Sequence, residues 1–555
     1  MISSRRDPLV ARGLRYDVDG LVKGWDALHG PQEQSKLSKR DKSTLRDLRR
    51  KHPIEELVKL GLERWNGLVT RQSQTLSQAV EEYERRYRRA PPKGFDQWWD
   101  FCQRNEVKIV DDYDQINRDI EPYFALSPAK FRERARMLRQ VPFTYQIKLS
   151  PSTASTITGE RAEFSRPKSL FSLLEPIAQF LPAELEITGS DHDMGSWLLG
   201  EDQRLAAMEA IRQGRYLTNA ELKAYEKKVG RVEVAGLVST CPEDSLAWTM
   251  AKSEKDGLTP VLDSLETSFI YEPTLGYDFC HTPQLLQLHG ALSIDGARDS
   301  VLRPLFQLSK FARNPELLTP PLQSYDNITS DAARRNTMEW EEKTENKLFW
   351  RGSSTGDSYA KGKNRNWRRS HRPRLHLMVQ NDVGTREVYV QRGESWERET
   401  WNVGRLNSEY FDIGLTGIPH QMYSMVSAVL VVGANEKVDG NGWSSRFSRL
   451  LMSGSVVMKS TIYPEWNSDW LTPWVHYVPV QVDYSDVYNI MSFFVGSPDH
   501  RTPGHEKVAK EIAERAKSFG LNHWRWEDMQ AYMFRLLLEY ARLMADDRDG
   551  WAYAA

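Results

Sequence analysis

The chain is poor in cysteine: Cys102, Cys241 and Cys280 are the only three in 555 residues. Three thiols exclude a disulfide scaffold; they allow one bridge and leave one thiol over. Long apolar runs are missing too. The best candidate, 422–434, falls short of the ~18 residues that a membrane span needs and contains Ser424, Ser427 and Gly433. Neither sign of charge is in excess, since Lys+Arg 75 against Asp+Glu 76 leaves −1. A dedicated nucleic-acid binder carries a basic surplus, so no nucleic-acid partner is expected. No internal repeat or low-complexity tract is visible. The first residues, Met1 to Asp7, hold no apolar segment of the kind that opens a signal peptide, which taken alone implies a cytosolic chain.

What is abundant is aromatic: 18 Trp, 22 Tyr and 19 Phe. Such rings pack cores, and their faces also stack on sugars and bases. The length predicts two to four domains. Periodicity predicts helices at 53–65 and 75–87, the second ending in Arg85, Arg86, Arg88 and Arg89 before Pro91-Pro92 breaks it. These arginines read as a solvated helix end or as a phosphate patch. Helix resumes over 95–139, with Trp98, Trp99 and Phe101 as packing anchors. Short β-like runs at 143–149 and 231–238 alternate with a helix at 169–180. The last third predicts strands at 347–351, 426–432, 456–459 and 475–482. Helices are expected at 444–452 and at 486–494, the latter capped by Ser485, and amphipathic helix closes the chain. Strand–loop–helix alternation predicts a parallel α/β sheet.

Four segments carry chemistry. The loop Asp439-Gly440-Asn441-Gly442-Trp443-Ser444-Ser445-Arg446-Phe447 is expected between a strand and a helix. Its glycines let a backbone approach a ligand, and helix-terminal amides with Arg446 favour an anion; a tight βα turn is the alternative. Arg351, before Gly352-Ser353-Ser354-Thr355-Gly356, stands where open α/β sheets bind ligands. It suits a phosphate held by two parallel hydrogen bonds, or else a carboxylate partner. The Arg-rich run 364–374 reads as a solvated or phosphate-facing helix. Asp191-His192-Asp193 offers a general base, a divalent-metal pair or a polar loop.

Together these segments resemble glycosyltransferase family 90, in its fungal capsule-associated branch with β-1,2-xylosyltransferases, related to the protein O-glucosyltransferases. The likeness runs through Pro91-Pro92-Lys93-Gly94-Phe95-Asp96, Asp112-Tyr113-Asp114, Cys280-His281, Leu288-His289-Gly290, Trp350-Arg351-Gly352-Ser353, Arg372-Pro373-Arg374, the 439–447 loop, the segment from Pro473 to Val480 and Glu527-Asp528-Met529. It implies an α/β GT-B-like fold: two Rossmann-like lobes around a cleft. A helical extension (1–94) precedes an acceptor-side lobe (95–340) and a nucleotide-sugar lobe (341–545) with crossing C-terminal helices. It implies transfer of xylose or glucose from a UDP-sugar to a hydroxyl of a polysaccharide, glycolipid or glycoprotein. The runner-up is a non-catalytic sugar-binding relative. The resemblance gives Asp193 the base role, with Asp191 as the other register. It puts UDP-sugar on Arg351, Gly352, Ser353, Ser354, Gly440, Gly442, Trp443, Ser444, Ser445, Arg446 and Phe447. No cofactor is expected, and a divalent metal is not expected to be essential. A Cys241–Cys280 bridge with free Cys102 is implied. Such a bridge implies the Golgi lumen, with membrane association only through an anchor preceding the chain.

Overall fold

The computed structural model describes residues 15–16, 20–23, 25, 50–193, 195, 197–226, 236–253, 267–292, 301–323, 325, 338–356, 367–416, 436–440 and 442–554. Helix α1 (Pro53–Thr70) starts at a reciprocal cap, in which the His52 ring accepts from the Ile54 amide and Glu55 accepts from the His52 amide. Helix α2 (Leu76–Tyr87) ends with Arg88 in the left-handed conformation. Its arginines are not simply a solvated end. Arg86 pairs with Glu82 and Asp112, and Arg89 donates to Asn117, so the cluster ties α2 to the following segment. Helix α3 (Phe95–Arg104) buries Trp98, Trp99, Phe101 and Cys102.

The first large sheet contains β1 (Thr144–Leu149), β2 (Thr156–Thr158), β3 (Leu185–Ser190), β4 (Phe306–Gln307) and β5 (Leu317–Leu318), in the order β2-β1-β3-β4-β5. Helix α4 (Ser165–Leu174) lies between β2 and β3 in the chain. Strands β3, β4 and β5 are parallel, whereas β1 runs antiparallel to both neighbours. The sheet is therefore mixed, which corrects the all-parallel expectation. Only residues 150–155 join β1 to β2, and a parallel crossover needs a dozen or more. Of the expected run 231–238, the first five positions lie outside the described residues. Gly236–Thr240 is a short 3₁₀ turn instead of a strand.

In the second half the two small sheets that carry the candidate loops are parallel, and a separate hairpin, Thr385–Arg392 with Ser395–Asn402, is antiparallel. Strand β6 (Leu348–Gly352) leads through α5 (His371–Gln380) to β7 (Phe411–Leu415), its partner. A second sheet joins β8 (Glu436–Val438), β9 (Met458–Ser460) and β10 (Val478–Pro479), with α6 (Phe447–Leu451) between the first two. The expected strand 426–432 lies outside the described residues. The expected helix 444–452 shrinks to the five residues of α6, because Ser444 and Ser445 continue the turn. The expected strand 475–482 shrinks to Val478–Pro479. Helix α7 (Val487–Val495) begins at Asp486, and Ser485 does not cap it; the Ser485 hydroxyl donates to Asp483 instead.

Helices α8 (Glu506–His523) and α9 (Trp526–Met544) close the chain. From Asp528 to Leu543 every residue of α9 is buried, as expected of a helix with neighbours on all sides. It returns to the first half of the chain. Trp98 donates its indole N–H to the Ala531 carbonyl at 2.9 Å, and the Tyr83 hydroxyl meets Glu539 at 2.7 Å. A disulfide joins Cys241 to Cys280, whose Cα atoms are 5.4 Å apart, and Cys102 is a buried free thiol. Among the described residues no helix is long and apolar enough to cross a membrane.

Candidate active site

Parallel strands direct their carboxyl ends to one edge, and the loops there bind ligands in open α/β sheets. Four such ends matter here. Strand β3 runs into Asp191-His192-Asp193, β4 into Leu308-Ser309, β6 into Ser353-Ser354-Thr355 and β8 into Asp439-Gly440.

The loops of the two halves meet. A Cβ placed on Gly442 would lie 2.2 Å from the Asp193 carbonyl oxygen and 3.1 Å from the Ser309 hydroxyl. Only glycine permits that approach. The Trp443 amide donates to the Ser309 hydroxyl at 3.2 Å. Arg166, in the first turn of α4, pairs with Asp193 at 2.6 Å and donates to the Asp191 carbonyl at 2.9 Å. Its guanidinium also lies 5.4 Å from the Trp443 ring centre, so one side chain touches both loops. On the β4 side, Gln307 donates to the His192 carbonyl at 2.9 Å. Two buried polar atoms at this junction, Trp443 Nε1 and Gln307 Oε1, have no hydrogen-bond partner among the described residues.

The glycine loop is anchored from behind. The Asp439 carboxylate is buried and accepts from the Thr461 hydroxyl at 2.8 Å and the Ile462 amide at 3.1 Å, with His289 Nε2 at 3.3 Å. Its carbonyl receives His371 Nε2 at 2.7 Å and Arg372 Nε at 2.8 Å. Arg372 also reaches the Ser353 carbonyl and the Thr355 hydroxyl, linking the β6 and β8 loops. His289 and His371 stack at 4.1 Å. Burial holds the His371 imidazole well below its ordinary range. A neutral ring fits its contacts, since Nδ1 accepts from the Gly290 amide.

Positive charge faces the front. Arg446 donates to the Arg351 carbonyl at 2.6 Å, and among the described residues no carboxylate pairs with it. Burial, with Arg449 nearby, lowers its pKa; an incoming anion would relieve that penalty. Arg351 behaves otherwise. Its guanidinium is held by Asp412, at 2.5 Å to the carboxylate and 2.6 Å to the carbonyl, which is the carboxylate-paired alternative. Residues Gly352, Ser353 and Ser354 line the β6 loop, while Gly440, Gly442, Trp443, Ser444, Ser445 and Phe447 follow β8. Helix α6, at five residues, is too short to add a useful dipole.

Burial raises the Asp191 carboxyl above its ordinary value, against the pull of Arg166 and Arg161. In the metal alternative for Asp191-His192-Asp193, the Arg166 guanidinium already stands at Asp193. A cleft of about 930 Å³ lies beside this junction and includes Lys310, Asn314, Arg313 and Lys459, but neither Asp193 nor Gly442. The two are neighbours, because Asn314 packs against Gly195.

Residues 433–548 match the model of glycosyl transferase family 90. The matched segment begins just before β8 and runs through the glycine loop to just past the end of α9. Protein O-glucosyltransferase 1 of Bos taurus is 37% identical over 108 residues, 18% of this chain and 24% of that protein. The Homo sapiens protein of the same name is 36% identical over the same length. An O-glucosyltransferase rumi homolog of Anopheles gambiae is 27% identical over 215 residues, 38% of this chain and 44% of that protein. The chain thus spans about a quarter of the first two relatives and less than half of the third.

Sequence reasoning missed Arg166, Gln307, Ser309, His289, His371 and Arg372 as site residues. Ser309 carries a faint signal, two residues past an apolar strand. His371 and Arg372 fall inside the run read as a solvated or phosphate-facing helix, and both are buried. Residues 364–366 of that run lie outside the described residues.

Proposed function

We propose that the chain is a UDP-sugar-dependent glycosyltransferase of GT-B layout, the 95–340 region presenting the acceptor and the 341–545 region the donor. The observation that carries this reading is the junction itself: Asp193 is packed onto the glycine loop of the family-90 segment through Gly442. The names of the relatives support glucose transfer to protein; the branch resemblance supports xylose. UDP-glucose and UDP-xylose are the donors to test, and a hydroxyl of a glycan or glycoprotein is the acceptor.

In this reading the Asp193 carboxylate, oriented by Arg166, takes the proton of the acceptor hydroxyl as its oxygen bonds to the anomeric carbon. The bond from that carbon to the phosphate oxygen breaks, and the electron pair leaves with UDP. Arg446 and the loop amides stabilise the charge that develops there, the kind of fixed electrostatic help that often dominates catalysis. Fixed cations replace an essential metal. Asp191 is the second register for the base. The Cys241–Cys280 bridge supports an oxidising compartment such as the Golgi lumen.

The test is UDP release from a panel of UDP-sugars without acceptor. UDP-glucose or UDP-xylose should be hydrolysed slowly, and UDP should inhibit. No hydrolysis of any donor, together with no calorimetric UDP binding, would remove the reading.

A further inference from the structure

Next to the Asp191-His192-Asp193 loop, two large apolar rings stand in solvent. Phe143 is 46% exposed and Phe164 is 48% exposed. Phe143 also holds a φ of 64°, a left-handed backbone that a bulky side chain adopts only under strain. Backbone outliers of this kind cluster at ligand sites.

The surroundings are polar and tightly built. The Arg161 guanidinium lies 4.5 Å from the Phe143 ring centre and 4.8 Å from that of Phe164. Phe143 is bonded to the carboxylate loop directly, since its carbonyl accepts from the Asp191 amide at 2.9 Å. The His192 ring lies 6.1 Å from the Phe143 ring. Arg161 is close enough to Asp191 to act on its titration. The turn that carries Arg161 is fixed as well: a Cβ on Gly159, at φ 106°, would lie 2.7 Å from Gln146.

We infer that Phe143, Arg161 and Phe164 form an acceptor subsite for the sugar ring of a glycan. This rests on the transferase reading for its distance to Asp193, and it narrows the acceptor from any hydroxyl to one carried by a saccharide. The C–H bonds on one face of a pyranose are slightly positive, and an aromatic face is negative. A sugar seated on the face of Phe143 or Phe164 away from Arg161 has nearby the remaining donors of that guanidinium, which also pairs with Glu160 at 3.2 Å, and the Asp191 carboxylate as acceptor.

The test uses the full chain with Phe143→Ala, Phe164→Ala, Phe143→Gly and Phe143→Trp. Binding of neutral tetrasaccharides of mannose, glucose and xylose is followed by saturation-transfer NMR, and donor hydrolysis is measured in parallel. Expected is binding of at least one tetrasaccharide to the wild type, weakened at least tenfold in both alanine variants. Hydrolysis and thermal midpoint should stay unchanged, and Phe143→Trp should restore binding. Phe143→Gly removes the ring while relaxing the backbone, so it should bind as poorly as Phe143→Ala with an equal or higher thermal midpoint. Absence of saccharide binding to the wild type, or wild-type affinity in both alanine variants, overturns the subsite. Ring-dependent saccharide binding in a protein that hydrolyses no donor would keep the subsite and remove the transferase reading.

Discussion

Asp193 and Asp439 both follow the carboxyl end of a strand, on loops that meet at Gly442, yet their surroundings differ. Asp439 is sealed in, its carboxylate occupied by a hydroxyl, an amide and an imidazole. Asp193 is only half-buried and meets Arg166 from a neighbouring helix. A carboxylate whose lone pairs are spent inside the protein positions a loop. One near solvent, beside a guanidinium, is the better placed to exchange a proton with a substrate in the proposed reaction. Burial, not residue type or topological place, separates the two aspartates.

The largest effect should come from Asp439→Ala. It strands the Thr461 hydroxyl, the Ile462 amide and a buried His289 ring, at about 1–3 kcal/mol for each unsatisfied group. Thermal unfolding should show a loss of several degrees or more, and calorimetry should show no UDP binding by the folded fraction. Wild-type stability would erase the contrast between the two aspartates.

Next is the bridge on the Asp193 side. Replacing Cys241 and Cys280 by serine should cost roughly 2–4 kcal/mol. Arg313 binds Asp278 in the same segment, and its neighbour Asn314 packs against Gly195. Transfer should therefore fall more than UDP affinity does. Equal losses in both would show that the two sides of the junction do not respond separately.

Arg446→Ala should raise the UDP dissociation constant roughly ten- to hundredfold, the equivalent of a charge-assisted hydrogen bond of about 1.5–3 kcal/mol. Arg351→Ala should do less, because Asp412 already holds that guanidinium. The reverse order in calorimetry would return the phosphate role to Arg351.

The smallest effect concerns Asp191. Burial raises its carboxyl, so the native state holds that proton more tightly than the unfolded chain does. Its contribution to stability is complete below the unfolded value and is lost as pH climbs through the raised one. Asp191→Asn should flatten the fall of stability that runs upward from the ordinary carboxylate range. An unchanged slope in denaturant titrations would assign that fall to other groups.

The two loops were legible because strand ends, glycines and paired carboxylates are local patterns. Helices α1, α2 and α3 were legible for the same reason, through caps and periodicity. What joins the loops was not. Arg166 reaches Asp193 from another helix, and Ser309 reaches Trp443 across two sheets; no spacing in the sequence encodes either contact. The antiparallel β1 was hidden by an apolar pattern that fits both strand directions. The burial of Arg372 and His371 was not legible, because composition reports charge and only the fold reports burial.

The most direct measurement compares Asp193→Asn with Asp439→Asn in one series, recording sugar transfer and UDP affinity for each. Asp193→Asn should lose about 10²–10⁴ in turnover while binding UDP within a few-fold of the wild type. Asp439→Asn should lose UDP binding. Near wild-type turnover in Asp193→Asn, or a loss of UDP affinity equal to that of Asp439→Asn, would contradict the division of roles between the two aspartates.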